Sequence, residues 1–397
     1  MRRLLAAATV FLALFAPDVP AQLRPRARDL GIAFDGAPGP LNAITDVPGV
    51  EVGHATIVRG EGPLKVGEGP VRTGVTAVLP RGRASATPVF AGWFSLNGNG
   101  EMTGTTWIEE SGVLEGPVMV TNTHSVGVVR DAVIAWQLKR RRAAPQAWSL
   151  PVVAETYDGF LNDINGFHVK PSHAEEALDS ARGGRVAEGN VGGGTGMICY
   201  GFKGGIGTAS RRLSSDSGGH TVGVLVQANF GSRRQLRIAG VPVGVEITDA
   251  TPSSLRQPGG WRDSLPDADD AGSIIIIVAT DAPLLPHQIK RLARRAALGV
   301  ARTGGVASDS SGDIFIAFST ANETAAQVEL SRKAPTATFT AVPNGRMTPI
   351  FEAVVQATEE AIINALVAAE TMTGVDGHRV TAIPHDRLRD AMTKYKR

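Results

Sequence analysis

Five consecutive aliphatic residues, Ile274 to Val278 in the stretch "DADDAGSIIIIVATD", constrain this chain more than any other feature. β-Branched side chains favour extended backbone, and a strand sends alternate side chains to opposite faces. A strand that is apolar on both faces must lie between two covering layers. The run therefore reads as a buried strand, and 43% hydrophobic residues in a length of 397 supply enough apolar material for a full core. Carboxylates and Gly272 stand immediately before the run, with Ser273 at the junction. On local composition alone, Ser273 is an ordinary serine where a loop meets a strand.

Short apolar or β-branched runs at "TGVTAVLP", "GPVMVTNT", "SLPVVAET" and "HTVGVLVQANF" predict further strands. Ahead of them, "GIAFDGAPGPLNAITDVPGVEVGHATI" predicts a turn-rich extended segment leading into another strand. Helical periodicity marks "VGVVRDAVIAWQLKRR", "HQIKRLARRAALGVAR" with "TGG" as its stop, and "TPIFEAVVQATEEAIINALVAAETMTG". The last has Thr348 as N-cap, Pro349 at the first helical position and Gly374 beyond its end. Strands dominate the first two thirds and helices the end, without strict alternation. That order favours an α+β fold, helices packed on sheets, over a doubly wound parallel sheet. The stretch "TPSSLRQPGGWRDSLPDADDAG", which ends at the Gly272–Ser273 junction, is expected to be an exposed loop of a length that usually carries function.

The N-terminal "MRR", "LLAAATVFLALFA" and "PDVPAQ" have the three regions of a secretory signal, with Val19 and Ala21 suited to cleavage after Ala21. The apolar run falls short of the ~20 residues of a spanning helix, which disfavours a membrane anchor. Residues 1–21 are thus expected to be removed and the mature chain to be periplasmic or secreted. The single cysteine, Cys199, has no partner for an intramolecular disulfide and no adjacent His or Lys to activate it; it is expected to be a buried hydrophobe.

A net charge of +2 gives no reason to expect a nucleic-acid partner. Neither a dinucleotide fingerprint in a strand-to-helix context nor a P-loop, H-E-x-x-H or G-x-S-x-G motif occurs. His168 and His173 are spaced unlike any common ligand pair, so no metal site is expected. The basic "LKRRR" at 138–142 is expected to be the solvated end of a helix. The glycine-rich "VGGGTGM" and "LNGNGEMTG" have two readings, tight turns or backbone NH groups lining a substrate cavity or oxyanion site.

A serine that becomes a chain N-terminus carries its own base, because its α-amine, with an ordinary pKa of about 8, lies beside its hydroxyl. Cutting the Gly272–Ser273 bond would create such a nucleophile at the start of a buried strand that holds it in place. Glycine suits the backbone geometry of the N-to-O acyl shift that makes the cut. The rest of the chain supports this reading over the ordinary serine. In order, "RARDLGIAFDGAPGPLNAITDVPGVEVGH", "TNTHSVGVVRDA", "ETYDGFLNDINGFHV", "EGNVGGGTGM", "FKGGIGTASR", "VQANFG", "GSIIIIVATDAPL", "SSGDIFIAFST" and "ATEEAIINAL" cover nearly all of the mature chain. Together they resemble the family of L-aminopeptidase/D-esterases and β-peptidyl aminopeptidases.

The resemblance implies an αββα sandwich like that of N-terminal-nucleophile hydrolases but with its own connectivity. It implies a precursor that cuts itself into residues 22–272 and 273–397, which stay associated as one domain. Ser273 matches the nucleophile. Ser311 and Asp313 match a serine and an acid that orient its amine, with aspartate where some members carry glutamate; strand alternation points both to one face. Asn229 matches the oxyanion donor, Tyr157 a tyrosine near it, and Glu155 an acid holding the substrate's free amino group, a role that Asp158 or Asp163 can share. The implied reaction releases N-terminal L-, D- or β-residues from peptides, amides or esters through an acyl-enzyme, without an external cofactor. A small peptide or aminoacyl amide is the implied substrate and a homotetramer of processed units the implied assembly. Two alternatives stand beside it. One is an acyltransferase resembling ornithine acetyltransferase, which Ser273 in place of threonine argues against. The other is an unprocessed exported binding protein.

Overall fold

The computed structural model describes residues 24–140, 146–248, 272–324, 326 and 334–397. The expected signal at 1–21 lies outside them, as does the expected loop at 251–272 except for its last residue, Gly272.

Two sheets form the centre. One runs in the order β1 (Glu51–Arg59), β2 (Val71–Leu79), β5 (Val118–Asn122), β6 (Val152–Thr156). The other runs β4 (Val113–Leu114), β3 (Val89–Gly98), β12 (Gly312–Ser319), β11 (Ser273–Thr280), β10 (Thr221–Asn229), β9 (Gly205–Arg212). Each sheet has one parallel pair, β5 with β6 and β11 with β12, and its other pairs are antiparallel. Two small hairpins, β7 (Ile198–Cys199) with β8 (Phe202–Lys203) and β13 (Met372–Thr373) with β14 (Arg379–Val380), complete the strands among the described residues.

The aliphatic run is β11, near the middle of the larger sheet, and both its faces are buried. Ile275, Ile277 and Ala279 pack into the core between the sheets with Val120, Val152 and Ile316. Ile274, Ile276 and Val278 pack on the other side against α5 (Pro286–Arg302) and the long helix Thr348–Val367. On the smaller sheet's outer face, Val75, Ala77, Met119 and Val153 are covered by α2 (Val126–Arg140) and α3 (Pro171–Asp179). The layers are therefore helix, sheet, sheet, helix. Helices α1 (Thr105–Ser111) and α4 (Val243–Glu246) are short; the long helix is called α6, and α7 (His385–Lys394) closes the chain.

The expected strands and helices are all present, with two adjustments. Thr348 is the first residue of α6 rather than its cap, and the helix stops at Val367, well before Gly374. Gly374 is instead a point of close approach, since a Cβ there would overlap the Leu161 carbonyl oxygen.

Candidate active site

Ser273 is the first residue of β11 and lies directly opposite Asn229, the last residue of β10. Directly opposed residues of an antiparallel pair share a face, with Cβ atoms about 5 Å apart. That face is the one turned to the smaller sheet, because Ser273 alternates with Ile275 and Ile277. Both residues are only 6% exposed. The Asn229 amide is held in one orientation: its Nδ2 donates to the Tyr157 carbonyl oxygen at 2.9 Å, and its Oδ1 accepts from Ile198 N–H at 2.8 Å. Since a side-chain amide carries two N–H donors, one bond to Tyr157 leaves capacity for a second acceptor.

Glu155 comes from β6, across the gap between the sheets. A Cβ on Gly100 would lie 3.3 Å from Glu155 Oε1 and 3.3 Å from Gly312 Cα; one on Gly312 would lie 2.9 Å from Ser273 Oγ. These glycines let the carboxylate, the end of β12 and the serine crowd together. Thr123 Oγ1 donates to Glu155 Oε2 at 2.5 Å and Glu101 N–H to Oε1 at 3.0 Å. Burial raises the Glu155 pKa against the lowering effect of those two donors. A buried, oriented carboxylate of this kind favours a cation that brings its own charge.

Ser311 and Asp313 do share a face, and Ser311 Oγ donates to Asp313 Oδ1 at 2.7 Å. The register pairs Ser273 with Gly312 and Ile274 with Asp313. Asp313 therefore sits in step with Ile274, one residue out of phase with the Ser273 side chain. Gly272, before the seam, is pressed against β10: a Cβ on it would overlap the Asn229 carbonyl oxygen and lie 2.7 Å from Phe230 Cα. Space demands glycine there. Tyr157 is half-buried, its ring folded over Gly159, where a Cβ would meet the phenol oxygen.

The other expected positions divide. Asp158 and Asp163 are each 1% exposed. Asp158 accepts from Asn122 Nδ2 and Asn162 Nδ2, both at 3.0 Å, and burial raises its pKa to about 6. Asp163 accepts from His168 Nε2 and Gly67 N–H, both at 2.8 Å. Both carboxylates are thus closed off from solvent and held by these donors, with Asp163 Oδ1 left without a hydrogen-bond partner. The two glycine-rich stretches part ways. In "VGGGTGM", Gly192 and Gly193 N–H donate to Thr56 and Thr76 hydroxyls, and a Cβ on Gly193 would overlap Gln227 Oε1, so close packing explains that stretch. In "LNGNGEMTG", Asn99 N–H reaches the Ser311 carbonyl and Glu101 N–H reaches Glu155, so that loop lines the site. Cys199 is buried, and burial pushes its thiol pKa up.

Several supporting residues escaped the sequence reading. Thr123, the Glu101 amide and the Ile198 amide each hold a site residue. Lys203 is fully buried and donates to the Met197 and Gly204 carbonyls at 2.8 Å, fixing the hairpin that presents Ile198 N–H. Burial pushes its pKa down to about 7. The Ile198↔Lys203 pairing of the β7–β8 hairpin carries this support and leaves only a weak mark in sequence.

Residues 42–380 match the model of peptidase family S58. The β-peptidyl aminopeptidase BapA of Sphingosinicella microcystinivorans is 58% identical over 380 residues, 94% of this chain and 93% of that protein. A Burkholderia sp. β-aminopeptidase structure superposes with a TM-score of 0.83 at 50% identity, covering 93% of this chain and 99% of that one. The L-aminopeptidase D-Ala-esterase/amidase of Ochrobactrum anthropi, described as a prototype for the serine aminopeptidases and a new variant among the Ntn hydrolase fold, gives 0.84 at 49% identity over 94% and 99%. The helix–sheet–sheet–helix layers found here agree with that fold. The chain belongs to peptidase family S58, the self-processing N-terminal-nucleophile hydrolases, and is a serine aminopeptidase that releases N-terminal residues.

Proposed function

We propose that Ser273 is the nucleophile and that cutting after Gly272 generates it, leaving chains that end at 272 and begin at 273. The observation that carries this reading is the direct opposition of Ser273 and Asn229 at the open end of a buried strand pair. Ser273 Oγ attacks the carbonyl carbon of the substrate's N-terminal residue, and its own amine takes the hydroxyl proton and passes it to the leaving amine. The second Nδ2 hydrogen of Asn229 faces the developing oxyanion, with Tyr157 near it. Ser311 and Asp313 orient the new amine. Glu155 binds the substrate's ammonium, which makes a free N-terminus a condition of good binding. Water then releases the acyl group from Ser273.

The substrate class we propose is a short peptide or amide beginning with a β- or L-residue. The supporting observation is the identity to a relative named a β-peptidyl aminopeptidase. We also propose export through the segment Met1–Ala21 and assembly of processed units into a homotetramer, readings that rest on the signal pattern and on the family resemblance.

The test is direct. Wild-type protein run on a denaturing gel should give two fragments, the smaller beginning at Ser273, and should hydrolyse β-homo, L- and D-aminoacyl p-nitroanilides. Ser273→Ala should stay whole and inactive. A Ser273→Ala chain still cut at that bond, or still active, overturns the assignment. N-terminal sequencing of the larger fragment tests cleavage after Ala21, and sedimentation of the processed enzyme tests the tetramer.

A further inference from the structure

The bond to be cut is held by a different strand from the one proposed to stabilise substrate oxyanions. The Gly272 carbonyl oxygen accepts from Gly312 N–H at 3.0 Å, as the first rung of the parallel β11–β12 ladder. β12 flanks β11 on the side opposite β10, which carries Asn229. A carbonyl pointing into the β12 ladder points away from β10. In the uncut chain the scissile carbonyl is therefore turned from Asn229, whose amide is already anchored to Tyr157 and Ile198.

The surroundings of Gly312 are built for this contact. A Cβ on Gly312 would overlap the Asn99 carbonyl oxygen and lie 2.9 Å from Ser273 Oγ, so only glycine brings a backbone N–H this close to the seam. On the other side Gly272 fits against Asn229 and Phe230 only because it too lacks a Cβ. The carbonyl is thus held between two strands at fixed register, with a donor in place before any charge develops. A preoriented donor needs no reorganisation when the oxygen becomes negative.

From this geometry we infer that the Gly312 backbone amide is the oxyanion donor of self-cleavage, a site separate from the Asn229 side chain that serves substrates. The inference rests on the reading of Ser273 as the self-cleaving nucleophile. Ser273 Oγ forms a bond to the Gly272 carbonyl carbon as the π pair moves onto the oxygen facing Gly312 N–H. The carbon–nitrogen bond then breaks, the pair returns to the carbonyl, and the Ser273 nitrogen gains the proton that Oγ lost. The resulting Gly272–Ser273 ester is hydrolysed by water. Water oxygen bonds to the carbonyl carbon, the carbon–Oγ bond breaks, and Oγ regains a proton. The products are a Gly272 carboxylate and a free Ser273 amine.

Two variants of the full chain separate the donors. Replacing Gly312 by glycolic acid turns its amide into an ester, which removes the N–H without adding a side chain. Its conversion to two fragments, followed on denaturing gels, is expected to slow by about 10²–10³-fold. Molecules that have been cut should turn over an aminoacyl p-nitroanilide with the wild-type kcat, which also reports that they are folded. In Asn229→Ala the pattern should invert, with kcat falling by about 10²–10³-fold and precursor conversion keeping its wild-type rate. Wild-type conversion in the Gly312 ester, or arrested conversion in Asn229→Ala, overturns the inference. Cleavage in Ser273→Ala would instead overturn the reading beneath it.

Discussion

At Glu155 the role proposed above asks one carboxylate to do two opposed things, stay buried and bind a cation. Burial raises its pKa, and the Thr123 hydroxyl and Glu101 amide pull it down without restoring the ordinary value of 4.5. The free enzyme therefore keeps the Glu155 proton to a higher pH than a solvated glutamate would, and protonated Glu155 has no charge to offer an ammonium. The kcat/KM profile, which reports the free enzyme, should show an acid limb above the usual carboxylate range. Glu155→Gln should abolish that limb and raise KM by about 10- to 100-fold, the worth of one charge-assisted hydrogen bond, while kcat falls less. A variant with an unchanged KM and the same acid limb would remove Glu155 from substrate binding. Glu155 is a candidate on the block around it in sequence, but its neighbours are not announced there. Thr123 follows β5 and Glu101 follows β3, and nothing in local sequence announces that a hydroxyl and an amide from those ends meet one side chain of β6. The Gly312 amide is harder still, since every non-proline residue has a backbone N–H and only strand register singles one out.

At the scale of elements, contact between sheet and helix is set by glycines. Gly207 in β9 lies under α6, and a Cβ there would overlap the Ala361 carbonyl oxygen and sit 2.6 Å from Ala365 N and 2.8 Å from Ala365 Cβ. Two of these are backbone atoms of a buried helix and the third a Cβ fixed to that backbone, so none can yield as the end of a long side chain can. Gly207→Ala should lower stability by about 1–3 kcal/mol, the usual cost of overpacking. Denaturant unfolding in the Ser273→Ala background, where one unbroken chain unfolds, gives the measurement; an unchanged midpoint would mean that α6 shifts freely. Runs such as "GSIIIIVATD" and "HTVGVLVQANF" were legible as strands because their side chains alone demand cover. β9, "GIGTASRR", was not, because Ile206 and Ala209 are its only apolar side chains and its other buried positions are close-packed glycines and polar residues with partners. Its Arg211 is 1% exposed at the end of a strand that local composition would leave in solvent. Binary pattern fails where a buried charge is paired across the fold, since the partner is absent from the window being read.

For the whole molecule, that pair bears on how the two chains made by the proposed cut after Gly272 would stay one domain. That cut would put β11 and β12 in the second chain, yet they are flanked by β3 on one side and β10 on the other, so separating the chains would split the six-stranded sheet along two ladders. α6 of the second chain is also clamped from the first. Arg211 Nη2 donates to Glu360 Oε2 at 2.7 Å, Arg28 Nε to Glu360 Oε1 at 2.7 Å, Asn42 Nδ2 to the same oxygen at 2.6 Å, and Ala27 N–H to Asn364 Oδ1 at 3.0 Å. Burial would raise the Glu360 pKa, but the Arg28 hydrogen bond and the Arg211 charge outweigh it and hold the group below its ordinary value of 4.5. A carboxyl with a depressed folded pKa stabilises the native state above its unfolded pKa, and that contribution is lost as pH falls through the folded value. At neutral pH, Glu360→Gln leaves the Arg211 charge without its counterion and should cost about 3–5 kcal/mol. The gap between wild type and variant should narrow as the medium is taken below pH 4.5, because protonated Glu360 comes to resemble glutamine. Denaturant titrations of the uncut Ser273→Ala chain, with and without Glu360→Gln, at neutral and acid pH measure the gap. A gap that stays constant would show that the clamp acts through shape alone, whereas a narrowing one assigns part of the acid sensitivity of the whole two-chain assembly to this single buried carboxylate.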